Sequence, residues 1–395
     1  MNKLKRTNPV FLNRTVDDAH LIKPLPVPTG DYPFRLDIRK VLGENTCFLH
    51  ERMSFHMVGD TGSVRPSAFQ PLLAAALTTQ AEIKADAGEQ PAFLFHLGDV
   101  VYNHGEAREY PKQFLLPYES YPGPIFAIAG NHDADVNPDS ELVYQSLDAF
   151  MDVFCDTYSR RIVFGGDSKR RSMVQPHVYW TLETPLARFI GLYANVTKYG
   201  TIDEEQRLWF IDELRHAAIA GTEQAIIVCL HQAPYSADTN HGSSAPMIAF
   251  LESAFKAAGV KPDAVFSGHV HNYQRFTKSY EDGTVVPYIV AGAGGYADLH
   301  PIAASNDPRV EEMLPDIHQV RLENYCDDCY GFLYMTIEKN HQGLTLIGEY
   351  HTLAPDALHQ TPVRPNLFER FVIPLQRPVS SHGQIEAHPE FRNIY

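Results

Sequence analysis

The sequence predicts an α/β fold in which two mixed β-sheets pack as a sandwich and are flanked by helices. Strand-like and helix-like segments alternate between residues 52 and 267, and three pairs of strand-like segments have the spacing of hairpins. Short polar motifs also follow several of the apolar strands directly. Because open α/β sheets place their binding sites beyond the carboxyl ends of strands, these motifs indicate where a functional site lies.

The first part of the chain supplies three predicted strands and three predicted helices. The strands are short apolar runs, each ending in a glycine and a polar residue, at 52–58, 92–97 and 125–129. Hydrophobic residues recur with helical periodicity over 66–87, and Pro66 suits the first turn. Acidic caps predict two further helices over 139–158 and 203–220.

The second part of the chain adds two motif-bearing strands and the hairpins. Strands are predicted over 225–230 and 264–267, with a helix over 244–258 between them. Asp282-Gly283 and Gln342-Gly343 are suitable turn residues for two of the hairpins. The hairpins pair 179–183 with 188–193, 275–280 with 285–291, and 331–338 with 344–350.

Proline-rich segments flank the predicted catalytic unit. Residues 1–50 form a leader with one short amphipathic piece, 34–41, and we expect this leader to pack on the surface of the core. Residues 51–354 contain the strands, the helices and all five polar motifs, so we predict one catalytic domain there. Residues 355–395 contain six prolines and are predicted to form an extended arm.

Composition and charge narrow the possible functions. A formal net charge of −15 over 395 residues argues against a nucleic-acid-binding surface, which needs a basic patch or stripe. No segment approaches the roughly 18 consecutive apolar residues of a membrane span, and no apolar signal segment follows the basic first residues. Five cysteines are a sparse and odd number for a disulfide framework. We therefore expect a cytoplasmic protein without a membrane association.

Seven potential metal ligands occur in five short motifs. One such motif alone would be an ordinary turn, but five in this order at strand ends indicate a two-metal phosphoesterase. Their carboxylate, phenol, amide and imidazole donors suit iron, manganese or zinc better than calcium or magnesium. The motifs are Gly59-Asp60-Thr61-Gly62, Gly98-Asp99-Val100-Val101-Tyr102, Gly130-Asn131-His132-Asp133, Val228-Cys229-Leu230-His231 and Gly268-His269-Val270-His271.

This pattern resembles the calcineurin-like metallophosphoesterases over residues 52–352. Most members of that superfamily carry a histidine two residues after the first aspartate, where this chain has Gly62. In exchange, Tyr102 stands three residues after Asp99. Loss of that histidine together with gain of that tyrosine resembles the purple acid phosphatase branch.

The resemblance implies two metal ions that share the carboxylate of Asp99, which lies between the other two amino-terminal motifs. A phenol has a pKa of about 10, so a trivalent ion displaces its proton far better than a divalent one. The first predicted site therefore holds Fe(III) and consists of Asp60, Asp99, Tyr102 and His271. The second holds Fe(II), Zn or Mn and consists of Asp99, Asn131, His231 and His269. Because alternate residues of an extended segment face opposite ways, His269 and His271 need a turn, which Gly268 can supply.

Three further residues are predicted to act in catalysis. His132 follows Asn131 directly and is placed to bond the phosphoryl group or the leaving oxygen rather than a metal. Asp133 is expected to fix the tautomer of that histidine. His241, in the loop 236–244, resembles a histidine that contacts substrate in the purple acid phosphatases.

The predicted activity is hydrolysis of small phosphomonoesters by direct attack of metal-bound hydroxide on phosphorus. One alternative is a phosphodiesterase or nucleotide-cleaving enzyme with the same metals, because specificity depends on the loops 103–123, 159–178 and 296–330. A remote alternative is a non-catalytic binding or scaffold protein that keeps the fold. Degenerate ligands would mark such a protein, and none of the seven positions is degenerate.

Three other motifs have two interpretations each. Cys326-Asp327-Asp328-Cys329 is a C-x-x-C that can bind zinc or exchange disulfides, although no second pair completes a zinc site in sequence. Lys169-Arg170-Arg171 is either a solvated loop or a rim that attracts an anionic substrate. Gly292-Ala293-Gly294-Gly295 is either a structural turn or a phosphate cradle.

Overall fold

The computed structural model describes residues 8–13, 19–65, 68–194, 199–219, 221–310, 319–353, 357 and 360–375. Within these residues, the strands are β1 (Arg35–Asp37), β2 (Arg52–Val58), β3 (Leu94–His96), β4 (Ile125–Ala127), β5 (Trp180–Glu183), β6 (Ala187–Gly191), β7 (Ala225–Leu230), β8 (Ala264–Ser267), β9 (Tyr273–Ser279), β10 (Val285–Ala291), β11 (Val320–Cys326), β12 (Gly331–Asn340), β13 (Gly343–Thr352) and β14 (Asn366–Leu375). The α-helices are α1 (Arg39–Leu42), α2 (Phe69–Asp86), α3 (Asn131–Ala134), α4 (Asp148–Phe154), α5 (Glu204–Ile219) and α6 (Ala245–Ala258). None of the helices in these ranges is long and apolar enough to cross a membrane.

The strands form two mixed sheets, which confirms the predicted fold class. One sheet has the order β1-β5-β6-β7-β8-β10-β9-β11, and the other has the order β14-β13-β12-β2-β3-β4. Parallel pairs join β2, β3 and β4 in one sheet and β6, β7 and β8 in the other. The three predicted hairpins are antiparallel pairs, as expected.

Aromatic side chains fill the space between the two sheets. Phe55 of β2 meets Phe189 of β6 edge to face, with ring centroids 5.0 Å apart. Phe95 of β3 stacks on Trp180 of β5 at 6.1 Å. These fully buried rings belong to one continuous hydrophobic cluster that extends over both sheets. The sandwich therefore holds the ends of β2, β3, β7 and β8 in fixed relative positions.

The predicted helix over 139–158 was wrong in length, because only α4 is helical in this segment. Short polar side chains before it bond the local backbone instead. The amide of Asp139 donates to Asn137 Oδ1 at 3.0 Å, and Ser140 Oγ donates to Leu142 O at 2.9 Å. Leu147 then adopts a φ of +69°, which starts the helix only at Asp148. The segment before α4 also has little apolar surface to bury, since Val143 is 96% exposed.

Strands at the ends of the chain join the sheets. β1 pairs in parallel with β5, and Arg35 forms an ion pair with Glu213 at 2.6 Å. β14 pairs with β13 at the edge of its sheet, where Pro374 is tolerated because an edge strand has one unpaired side. The sequence analysis assigned neither β11 nor β14 to a strand. The boundaries of the leader, the catalytic domain and the arm stay a prediction.

Candidate metal centre

The five polar motifs meet at one edge of the sandwich. Asp60 and Asp99 follow β2 and β3 of one sheet, whereas His231 and His269 follow β7 and β8 of the other. Asn131 begins α3 directly after the β4 strand end. Ligand atoms of Asp60, Asp99 and His231 all lie within 4.8 Å of one another. The carboxyl ends of strands from both sheets therefore supply a single cluster, as the sequence predicts.

Three residues of this cluster have left-handed backbone conformations. Asp60, Asp99 and His269 have φ values of +59°, +54° and +67°. Such conformations are uncommon outside glycine and cost about 1–3 kcal/mol each, and they concentrate at functional sites. Each one reverses the chain just after its strand, so that the side chain points back into the cluster rather than along the strand.

The turn between the two histidines of the last motif differs from the prediction. The left-handed residue is His269 itself, not Gly268. Gly268 is required for space instead, since a Cβ there would lie 2.7 Å from Asp60 Oδ2 and 3.0 Å from Leu97 O. Gly130 has the same role in the third motif, because its Cβ would lie 2.1 Å from Asp99 Oδ1. Both glycines allow the two carboxylates to approach the neighbouring backbone.

One half of the cluster is formed around the phenol of Tyr102. Its Oη donates to Asp60 Oδ1 at 3.1 Å and lies 3.2 Å from His271 Nε2. His271 Nε2 is itself 3.5 Å from Asp60 Oδ1. Burial and the carboxylates of Asp99 and Asp60 raise the pKa of Tyr102 well above its ordinary value. In the absence of a cation this phenol is therefore neutral and donates a hydrogen bond to the Asp60 carboxylate.

The other half contains three buried atoms that could bind a metal and that have no hydrogen-bond partner among the described residues. They are Asn131 Oδ1, His231 Nε2 and His269 Nε2. His231 Nε2 lies 3.4 Å from Asp99 Oδ1. A buried polar atom without a partner costs about 1–3 kcal/mol, so three of them in one cluster need an explanation. A bound cation provides one, and the residues present therefore fit a metal ion.

The charges of the cluster are coupled. Burial alone raises the pKa of Asp99, but His231 and His132 outweigh that effect, and the pKa is lowered. Conversely, burial lowers the pKa of His231, but the Asp99 carboxylate dominates and raises it to about 9. Burial lowers the pKa of His269 well below its ordinary value. In the metal-free protein His231 is therefore protonated and paired with Asp99, and a cation that binds there displaces this proton.

Hydrogen bonds orient the histidine rings. His231 Nδ1 donates to Leu97 O at 2.8 Å, and His271 Nδ1 donates to Asp298 O at 3.0 Å. When each ring carries a single proton, these bonds place that proton on Nδ1 and leave the lone pair of Nε2 for a cation. Carbonyl partners of this kind usually fix the tautomer of metal-ligating histidines.

His132 lies beside the predicted ligands, against the ring of Tyr102 at 4.3 Å. Its Nδ1 donates to Asn103 O at 2.6 Å, and its backbone amide donates to Asp99 Oδ1 at 2.9 Å. The expectation that Asp133 fixes the His132 tautomer was therefore wrong. The Asp133 carboxylate instead accepts from the backbone amides of Gly130 at 2.8 Å and Val101 at 3.1 Å. Asp133 thus joins the second and third motifs through their backbones, since the amide of Val100 also donates to its carboxylate at 3.0 Å.

His241 lines the same cleft as the predicted ligands. Its ring lies 4.1 Å from that of His269 and 5.0 Å from that of His300. The Asp238 carboxylate holds this loop, since it accepts from the amides of His241 at 3.1 Å and Gly242 at 2.7 Å. The structure therefore brings His241 to the site that the sequence analysis proposed for it.

The cleft has a volume of about 460 Å³ and includes residues that the sequence analysis did not select. Arg65 pairs with Asp298, and its guanidinium lies over the ring of Tyr296 at 5.4 Å. His300 stacks on His271 with centroids 4.2 Å apart. The loop that carries Tyr296, Asp298 and His300 follows the glycine-rich turn 292–295. A Cβ on Gly292 would lie 2.8 Å from Asp60 Oδ2, so this turn makes room for the first motif.

Space around Gly62 explains why no histidine occupies that position. A Cβ there would lie 2.7 Å from both Gln113 Oε1 and Val100 O. Gln113 lies in a π-helical turn, Pro111–Leu115, of the kind that often accompanies functional sites. The room that a histidine ring would need is thus filled by the side chain that contacts Tyr102.

The basic cluster at 169–171 is partly structural. Arg170 donates to the carbonyl of Tyr118 at 2.6 Å and to that of Tyr121 at 2.7 Å. The Arg170 guanidinium therefore connects its own loop to the segment 118–121, and this charge is not available to attract a substrate.

Comparison with known proteins agrees with this geometry. The sequence model of the calcineurin-like phosphoesterases matches residues 53–273, more than half of the chain. The protein therefore belongs to the calcineurin-like phosphoesterase family, which confirms the resemblance inferred from the motifs at that level. No curated protein sequence matches the chain.

Several solved structures resemble the chain at low identity. PhoD has 14% identity and a TM-score of 0.48, with 91% of this chain and 74% of that one covered. A putative 5'-nucleotidase from Staphylococcus aureus, in complex with alpha-ketoglutarate, has 14% identity and a TM-score of 0.39 over 84% of this chain and 56% of that one. Vps29 from Chaetomium thermophilum has 9% identity and a TM-score of 0.31, covering 84% of this chain and 100% of that one.

Proposed function

We propose that the protein is a phosphatase that hydrolyses small phosphomonoesters at a dinuclear metal centre. The observation that carries this proposal is a set of three buried, unpartnered atoms, Asn131 Oδ1, His231 Nε2 and His269 Nε2, in the cluster that also holds Asp99 and the Tyr102–Asp60–His271 contact. Family membership supports a phosphoesterase. When bound, two such ions lower the pKa of a coordinated water and neutralise the phosphoryl oxygens.

We infer two sets of ligands that share Asp99. The mutual contacts of Tyr102, Asp60 and His271 support one set, and the unpartnered atoms of Asn131, His231 and His269 support the other. The first set is therefore Asp60, Asp99, Tyr102 and His271. The second is Asp99, Asn131, His231 and His269.

We propose Fe(III) for the set that contains the phenol and Fe(II), Zn or Mn for the other. The phenol hydrogen-bonds a carboxylate and has a raised pKa, so its proton leaves only when a strongly charged cation replaces it. The absence of space for a histidine at Gly62 supports the same assignment, because the phenolate then takes the place of an imidazole. This ligand pattern is that of the purple acid phosphatase branch.

His132 and His241 are the proposed contacts to the phosphoryl group and the leaving oxygen. Both line the cleft, and both rings lie against predicted ligands, at 4.3 Å from Tyr102 and 4.1 Å from His269. Since His132 Nδ1 donates to Asn103 O, its Nε2 exchanges the proton. Water then attacks phosphorus in line with the leaving oxygen, and the protein forms no phosphoenzyme. The Asp133 carboxylate accepts hydrogen bonds from the backbones of the two loops that carry Asp99 and Asn131, and so holds these loops together.

The lining of the cleft supports a small anionic substrate. Its volume of about 460 Å³ lies in the range of small-molecule sites. Among the described lining residues, one side chain is a lysine or an arginine, namely Arg65, and it forms an ion pair with Asp298. With a formal net charge of −15 on the chain, attraction of the substrate depends on the metals and on this local cation.

Metal analysis and hydrolysis of two model substrates test this proposal. Purified protein is expected to contain two catalytic metals and to hydrolyse p-nitrophenyl phosphate faster than bis-p-nitrophenyl phosphate. The Asp99→Asn variant keeps a similar volume and should lose metal and activity together. A preference for the diester would move the assignment to a phosphodiesterase, and metal-replete protein inactive on both esters would contradict a hydrolase.

A further inference from the structure

A second group of potential metal ligands lies in the turn between β11 and β12. Ligand atoms of Cys326, Asp328 and Cys329 all lie within 4.8 Å of one another. The thiol of Cys326 is buried and lies 3.6 Å from Asp328 Oδ1, whereas Asp328 is exposed. The function proposed above does not use these residues.

The backbone of this turn directs two amides, those of Asp328 and Cys329, at the Cys326 sulfur. The thiol pKa of Cys326 is raised to about 12, mainly by burial and by the neighbouring Cys329, while hydrogen bonds from the amides of Asp328 and Cys329 lower it. Burial also raises the thiol pKa of Cys329. Two amides directed at a sulfur stabilise a thiolate, but in this burial the thiolate needs a neighbouring positive charge as well.

We propose that Cys326, Asp328 and Cys329 bind one Zn²⁺ ion, separate from the catalytic centre. Two thiolates and a carboxylate form a soft donor set that selects zinc over magnesium or calcium. Two thiols release their protons when the ion binds. The exposed side of Asp328 leaves the fourth tetrahedral position to water.

This site supports the wall of the catalytic cleft. Asp327, between the two cysteines, accepts from the amide of Ile302 at 2.8 Å, and Tyr330 Oη donates to Ala297 O at 3.1 Å. These bonds hold both ends of the loop 296–302, which carries Asp298 and His300. Zinc in this turn therefore fixes the loop against His271 without contacting the substrate.

Cobalt substitution of the full-length protein tests the site, because Co²⁺ bound by thiolates gives a near-ultraviolet charge-transfer band. The proposed catalytic ligands include no sulfur, so a thiolate-to-cobalt band reports on the cysteine site. We expect the band in the wild type and in Asp99→Ala, and its loss in Cys326→Ser/Cys329→Ser together with one equivalent of zinc. Asp328→Asn keeps both thiols and should weaken zinc binding at least about 10-fold.

Two cysteine variants serve as matched controls. Cys47→Ser removes an exposed thiol elsewhere, and Cys229→Ser removes the thiol two residues before His231, so both should keep the band. Thiol titration gives an independent measurement, since zinc should protect two thiols until a chelator is added. A band that survives the double variant, or that is lost in Cys229→Ser, overturns the proposal. So does a titration in which two thiols stay missing after chelation, because the pair is then a disulfide.

Discussion

The side-chain amide of Gln113 bonds both backbone groups of Tyr102. Gln113 Oε1 accepts from the Tyr102 amide at 2.9 Å, and Gln113 Nε2 donates to the Tyr102 carbonyl at 2.6 Å. Gln113 Nε2 also donates to Glu109 Oε2 at 2.7 Å, which fixes the orientation of the amide. The proposed phenolate ligand is thus held by its backbone, at the opposite end of the residue from its Oη.

Gln113→Ala is expected to weaken iron binding at the Tyr102 site by about 10- to 100-fold, the usual effect of losing a residue that orients a ligand. The phenol then loses its fixed position relative to Asp60. Iron content and turnover on p-nitrophenyl phosphate measure the effect. Gln206→Ala is the matched control, since Gln206 makes the same two bonds to the backbone of Tyr193, which is not a proposed ligand. Equal losses in both variants would show a general stability effect instead.

Asp99→Ala is expected to lose more metal and more activity than any other single ligand variant. Its carboxylate lies near His231, accepts from the His132 amide, and is proposed to contact both ions. Metal content and turnover should be compared with Asn131→Ala, which removes a ligand of one ion only. Near-normal metal content in Asp99→Ala would contradict the bridging assignment.

His132→Ala should retain both metals yet slow turnover by about 10²–10⁴-fold, the usual range for a general acid–base or charge-stabilising group. The imidazole is bonded to Asn103 O and lies next to the ligands, so its removal leaves the proposed ligand set intact. Single-turnover kinetics and metal analysis check this expectation. Loss of one metal equivalent would instead identify His132 as a ligand.

Tyr102→Phe should abolish the visible colour of the oxidised protein and weaken iron binding. A phenolate bound to Fe(III) gives a charge-transfer band, and the Asn131, His231 and His269 site should remain occupied in this variant. Visible absorption and metal analysis measure both effects. A colourless oxidised wild type that holds two zinc or manganese ions would contradict the proposal of Fe(III) bound by the Tyr102 phenolate. It would leave the family assignment intact.

Glu349→Gln is expected to reduce stability at neutral pH but not in acid. Hydrogen bonding by His351 and the Lys84 ammonium at 3.2 Å lower the pKa of Glu349 from 4.5 to about 2, although burial opposes them. The folded protein favours the ionised form of Glu349. The contribution of this carboxylate to the free energy of unfolding is therefore complete above pH 4.5 and is lost as the pH falls to about 2. In urea unfolding of the metal-free proteins, the wild type should have a higher free energy of unfolding than Glu349→Gln at neutral pH. This difference should decrease as the pH falls from 4.5 to about 2. Exposed Glu281→Gln should show no such change.

The strands before Asp60, Asp99, Asn131 and His269 were predictable because each is a short apolar run that ends at a glycine, whereas β11 and β14 lack this pattern and were missed. The predicted helix over 139–158 failed because its polar side chains bond the local backbone, a competition that periodicity does not report. The roles of Gln113 and His300 were not predictable either. Each depends on contacts between segments far apart in the chain, such as the stacking of His300 on His271. The partner of Asp133 was missed for a similar reason, since its carboxylate reaches the amide of Val101.

The crowded space at Gly62 limits how the first metal site can be re-engineered. A Cβ at that position would lie 2.7 Å from both Gln113 Oε1 and Val100 O, and 2.8 Å from Val101 Cα. Truncation of Gln113 would remove the first of these contacts, but it would also release the backbone of Tyr102 and leave the two contacts with backbone atoms. A histidine ligand therefore cannot be introduced at position 62 by exchanging side chains alone, because the chain that follows Asp99 would have to move.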